Sequence, residues 1–166
     1  MSTTDQTTAL EEWLRDNGGF LHPSVHVVTS RESGVHWRAS DAVEGHIATV
    51  PHSLALSYLN ALVDDAYPVF KQYKDKFKIE AIGFFYLMAQ YLDPNSFWRP
   101  YLDTLPRPED GATTPLWFDA AEDVAWLEHT DALHTSRKRK LIYEGYYQHG
   151  IAVLAGAGID TTAYTW

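Results

Sequence analysis

The sequence contains no cysteine, which excludes disulfides, zinc–thiolate centres and thiol nucleophiles together. It has no apolar run long enough to span a bilayer. Basic residues are few beside acidic ones, 13 against 22, and the net charge of −9 argues against a general affinity for nucleic acid or an anionic membrane. The opening residues, Met1-Ser2-Thr3-Thr4-Asp5, lack the basic and apolar regions of a secretory signal. These absences together read as an intracellular, soluble protein of the cytosol or nucleus. A phosphate-binding loop, an H-E-x-x-H pair and a paired-carboxylate motif are missing too.

What is present is enough for one ordinary domain: 166 residues, 45% of them hydrophobic, can bury a core. Aromatic residues are plentiful at 14%, with six Trp and ten Tyr. Taken in order, Thr8-Ala9-Leu10-Glu11 has capping-box spacing and opens a short helix whose Leu10, Trp13 and Leu14 form one apolar stripe. Asn17-Gly18-Gly19 closes it. Over residues 20–50 the pattern changes to β, with three short strands expected near 24–29, 34–39 and 46–50. Ser33-Gly34 and Glu44-Gly45 mark the turns between them.

From Ser53 onward the pattern is helical. Ser53 is placed to cap a helix holding Leu54, Leu56, Leu59 and Leu62. The span from about Lys78 to Leu92 is apolar around most of its circumference, so burial on several sides is expected. Asp119 precedes Glu122 at N-cap spacing, and a longer helix is expected from about Ser136 to Ala155, ended by Gly156 and Gly158. Between these helices lies Ser96-Phe97-Trp98-Arg99-Pro100-Tyr101-Leu102-Asp103-Thr104-Leu105-Pro106. Its prolines predict a stiff, extended connection. The fold class is thus α+β: a small antiparallel β region followed by a mostly helical one.

Few residues point to chemistry on their own. The eight histidines lack the carboxylate spacing of a metal site and read as surface or hydrogen-bonded groups. Arg137-Lys138-Arg139-Lys140, the sole basic run, reads either as a nucleic-acid or localisation patch or, preferably, as a solvated helix face. Ser33-Gly34-Val35-His36 is a glycine turn of the kind that lets a ligand approach the backbone, although most such turns are only turns.

Four segments together resemble the SET-domain protein methyltransferases of the Rubisco-lysine-methyltransferase type. Trp13 to Gly19 resembles the family's opening helix and N-G-G turn. Ser33-Gly34-Val35-His36-Trp37-Arg38-Ala39, with Gly45 and Val50-Pro51, resembles its E-G-x-G-L-x-A…G…V-P hairpin. Ser96 to Pro106 resembles its S-x-W-x-P-Y-L-x-x-L-P stretch almost letter for letter. Thr114-Pro115-Leu116-Trp117-Phe118 and Trp126-Leu127-Glu128-His129-Thr130 resemble its P-L-F-W…L-x-G-T stretch.

The resemblance implies transfer of a methyl group from S-adenosylmethionine to a protein lysine, or in one branch a histidine. It implies Ser33, Gly34, Val35 and His36 as cofactor contacts. Ser33 stands where the family has an acidic residue, and His36 where it has its second glycine. The family's N-H-x-x-x-P segment has no counterpart, since the sequence holds no Asn-His pair. The resemblance therefore implies an incomplete SET fold: an N-terminal helix over 1–19, the front of the SET domain over 20–55 and a helical insertion over 56–166. No catalytic residue is assigned. A chain inactive by itself, a protein substrate or partner, and self-association through exposed apolar surface are the matching expectations.

Overall fold

The computed structural model describes residues 3–30, 34–106 and 114–165. The chain divides into two compact units, Met1–Leu56 with Asp93–Leu105, and Ser57–Leu92 with Pro106–Trp166.

In the first unit α1 spans Thr3–Asp16. It begins well before Thr8 because the capping-box spacing is not used as a cap. Glu11 instead turns its carboxylate to the Val27 backbone N–H at 2.7 Å and to Arg15 at 2.9 Å. The helix ends where glycine predicts. Gly18 has φ +80°, and the Gly19 N–H donates to the Leu14 carbonyl at 2.8 Å. A Cβ on Gly19 would lie 2.7 Å from that carbonyl oxygen, so the close return needs glycine.

Four strands follow rather than three, in two antiparallel pairs. β1 (Phe20–Leu21) pairs with β4 (Ala48–Thr49), and β2 (Val25–Ser30) pairs with β3 (Gly34–Ala39). β1 is too short to show alternation in sequence, and its partner is chosen by tertiary contact alone. Leu21, Val25 and Val27 form the core cluster, with Leu10 and Leu14 of α1 packed against it.

The segment expected to be extended instead holds a helical turn, α5 (Arg99–Leu102). Pro100 sits in its first turn, where a missing N–H costs nothing. The Arg99 guanidinium donates to the Asp93 carbonyl, Trp98 and Leu102 are buried, and the Phe97 ring lies 5.5 Å from that of Trp13.

The second unit contains α2 (Tyr58–Ala61), α3 (Pro68–Gln72), α4 (Ile79–Leu92), α6 (Ala121–Ala125) and α7 (Asp131–Gly156). Ser57, not Ser53, caps α2, its backbone N–H donating to Asn60 Oδ1 at 3.0 Å. Ser53 lies in a separate 3-10 turn, His52–Leu54, after which Ala55 is extended. On α4 the buried residues are Ala81, Ile82, Phe85, Tyr86, Ala89 and Gln90, one broad face, while Ile79, Phe84 and Leu92 stay exposed.

Two further helix starts differ from expectation. Ala120 rather than Asp119 precedes α6, because Asp119 is ion-paired with Lys140 at 2.8 Å. α7 begins at Asp131, whose charge suits a helix N-terminus. Ser136 lies inside that helix and donates back to the Ala132 carbonyl at 2.7 Å.

α7 approaches α4 through a glycine. A Cβ at Gly150 would fall 1.9 Å from Phe85 Cε2, so the Phe85 ring occupies the place of a side chain. The Phe85 ring in turn stacks on Tyr147 at 6.2 Å and lies 6.1 Å from Phe77. Among the described residues no helix is long and apolar enough to cross a membrane.

Candidate functional site

The β2–β3 hairpin carries the residues singled out for cofactor contact. Gly34 opens β3 opposite Ser30, with φ +60°. That left-handed backbone favours glycine, and a Cβ there would meet nothing within 4 Å, so the backbone is open to approach. Val35 follows on the face shared with Thr29, half exposed. His36 takes the opposite face, across from Val28, and its Nδ1 lies 3.0 Å from the Gly34 carbonyl oxygen. Ser33 lies outside the described residues. The structure thus brings Gly34, Val35 and His36 to one hairpin tip.

S-adenosylmethionine can be tested against this geometry. The open space beside Gly34 fits a ligand that lies against the backbone. At His36 an imidazole stands where a second glycine would leave room, and it engages the hairpin's own carbonyl. The Gly34 backbone therefore leaves room for a ligand on one side.

A second feature of the same unit was not legible in the sequence. A groove of about 380 Å³ opens between α1 and the β pairs, walled by Leu10, Trp13, Trp37, Val50, Leu54 and Tyr101. Trp37 is two residues from Val35 on the same face of β3, so groove and hairpin tip share a strand. The one acid in its wall, Glu11, is held by Val27 and Arg15. The Trp13 indole Nε1 is buried with no acceptor among the described residues. The α1 wall was readable as an apolar stripe; its meeting with the other walls was not.

The histidines do not gather. His22 Nδ1 accepts the Ser24 N–H at 3.1 Å, and His149 Nε2 lies 2.6 Å from the Lys76 carbonyl. No group of three metal-ligating side chains occurs among the described residues.

No protein-family model matches the chain. Curated relatives do. The protein from Rhinolophus ferrumequinum named actin-histidine N-methyltransferase is 31% identical over 131 residues, 75% of this chain and 21% of its own length. The chain is similar to actin-histidine N-methyltransferases. Those of Homo sapiens and Mus musculus match over the same shares, at 30% and 31% identity. The chain spans about a fifth of the length of these relatives. Neither unit alone amounts to three quarters of the chain, so the similarity to the actin-histidine N-methyltransferases runs across both.

Proposed function

We propose that residues 1–166 form the front section of a SET-type protein methyltransferase that uses S-adenosylmethionine. The observation that carries this reading is the 31% identity to an actin-histidine N-methyltransferase over 75% of the chain. The motif resemblance, read from the same sequence, points the same way. On this reading residues 1–19 are the N-terminal helix, 20–55 the front of the SET domain and 56–166 its helical insertion. The acceptor is a ring nitrogen of a protein histidine, as the relatives' names suggest, with lysine the alternative drawn from the Rubisco-lysine-methyltransferase resemblance.

When bound, the cofactor supplies an electrophilic methyl group. The chain's own part is to bind and orient. The Gly34 backbone, open and left-handed, would hold one side of the cofactor, with Val35 and His36 as further contacts and Ser33 added by the family resemblance. Rate in such a displacement rests on positioning the donor and the acceptor nitrogen. The groups that would position the acceptor have no counterpart here, since no Asn-His pair occurs in the sequence. Each polar contact missing from the second side removes about 1 kcal/mol of binding. Several such losses weaken affinity by orders of magnitude, about tenfold per 1.4 kcal/mol.

Calorimetric titration with S-adenosylmethionine and a labelled-methyl assay test this. The expected result is no measurable binding and no transfer by the chain alone. Adding the remaining portion of the human relative in trans is expected to restore both, and Gly34→Trp to abolish them. Methyl transfer by the chain alone that Gly34→Trp abolishes would refute the inactivity. No binding and no transfer even with the added portion would overturn the methyltransferase reading.

A second reading, a non-catalytic protein-interaction module, is favoured by the large apolar side chains left exposed. Trp126 is 84% and Val63 74% exposed. Exposed apolar surface marks an interaction site where it is contiguous.

A further inference from the structure

We infer that the second unit docks on a second copy of this chain, through two complementary patches that it carries itself. The first patch is on α7. Arg137, Lys138 and Arg139 are exposed, and the next turn presents Leu141 at 70% and Ile142 at 43% exposure. A solvated cationic helix face is usually paired with acids three or four residues away. No position at that spacing from these three cations is Asp or Glu, and none of the three has an ion pair among the described residues. Lys140 differs: it turns to Asp119 and lies 5.8 Å from the Trp117 ring centroid. The run sits in the first half of a 26-residue helix, far from the C-terminal end that would favour positive charge. Three exposed cations without an ion pair among the described residues therefore flank two uncovered aliphatic side chains.

The second patch follows α6. Trp126 is the most exposed of the large apolar side chains among the described residues. Glu122 and Asp123 precede it by one turn and Glu128 follows it, with Glu122 and Glu128 exposed. An exposed indole ringed by acids is the chemical complement of exposed aliphatics ringed by cations. The indole can lie on Leu141 and Ile142 with a cation over its face, while the acids neutralise the run.

Two copies related by a twofold axis satisfy both patches at once, the basic face of each meeting the Trp126 turn of the other. The net charge of −9 on each copy opposes approach, but at physiological ionic strength it is screened beyond about 8 Å. Leu141 and Ile142 beside the cations favour a protein surface over a phosphate backbone, and the Trp126 turn supplies that surface within the same sequence. This inference does not depend on the methyltransferase reading.

Sedimentation of the full 166-residue chain across a concentration series tests it. The expected result is a monomer–dimer equilibrium that weakens as salt is raised. Trp126→Ala, the pair R137E/K138E and the pair E122K/D123K are each expected to weaken it about tenfold or more. An equal mixture of the two charge-reversed chains is expected to form a heterodimer that neither forms with itself. Far-UV dichroism checks that each variant keeps its fold. A monomer at every concentration, association that these variants leave unchanged, or failure of the folded mixture to pair would each overturn the proposal.

Discussion

The two units solve the same problem with different materials. In the first, one cluster is three aliphatic side chains, Leu21, Val25 and Val27, with an apolar groove open beside them, and Leu54, Trp98 and Leu102 are buried outside that cluster. In the second, Phe70, Phe85 and Tyr86 are almost wholly buried and linked by ring contacts through Phe77, Tyr67 and Tyr147. Aromatic side chains bury more surface each and fix their neighbours by ring geometry. The unit that carries the candidate cofactor contacts keeps an open groove, and the unit with no assigned chemistry packs around linked rings. Binding regions are commonly drawn from the less stable parts of a fold.

The contrast can be broken most directly by truncating each core. Phe85→Ala is expected to cost about 3–5 kcal/mol, since its ring touches three others. Leu21→Ala is expected near the low end of its range, about 2–3 kcal/mol, because the neighbouring groove lets the site relax. Chemical denaturation of both variants checks the ranking, and equal losses would erase the distinction.

Next in size is Gly150→Ala, which places a methyl group inside the Phe85 ring's volume. A loss of about 1–3 kcal/mol is expected. Gly145→Ala on the same helix, where nothing lies within 4 Å, is expected to gain up to about 1 kcal/mol from helix propensity. Thermal melting separates the two, and a neutral Gly150→Ala would contradict the close approach of α7 to α4.

Alkaline pH sharpens the contrast from another side. Burial, then the hydrogen bond from its hydroxyl to Asp64 at 2.6 Å and that carboxylate's charge, hold the Tyr86 phenol well above its ordinary value of 10.0. Burial raises Tyr164 as well. A raised folded-state value means that this stability is full below pH 10 and is lost as pH climbs past it. Melting temperature is therefore expected to fall above pH 10. Tyr86→Phe is expected to cost about 1–2 kcal/mol at neutral pH and to flatten that fall. An unchanged alkaline slope in the variant would show that Tyr86 is not its source.

The smallest expected effect, at Arg15, is read against its partner Glu11 in the first unit. Glu11→Ala removes the acceptor of the Val27 N–H and is expected to cost about 1.5–3 kcal/mol at most. Arg15→Ala removes only the exposed partner of that carboxylate, and about 0–0.5 kcal/mol is expected. Urea titration of the two variants tells whether Glu11 acts through β2 or through its ion pair.

Local chemistry was legible wherever one segment decided it. Gly18 ends α1, Gly34 opens β3 and Gly158 follows α7 in the left-handed region because few other residues take that backbone at low cost. The apolar run of Ile79–Leu92 is a helix because its length and spacing leave little else. Ser96–Pro106 was readable as a stiff aromatic segment but not as one holding a helical turn, within which the Leu102 N–H donates to the Trp98 carbonyl and the Arg99 guanidinium to that of Asp93. The hairpin that presents Gly34, Val35 and His36 was likewise readable, from its alternation and its turn.

Contacts between distant segments were decided only in three dimensions. Glu11 meets Val27, β1 finds β4, Gly150 meets Phe85 and Asp119 meets Lys140 across separations that no local pattern encodes. Those meetings moved the starts of α1 and α6 from where their caps predicted, and the groove joins the α1 stripe to walls that sequence did not place beside it. Periodicity reports which face of an element is apolar. Which other face covers it is set by the packing of the whole chain.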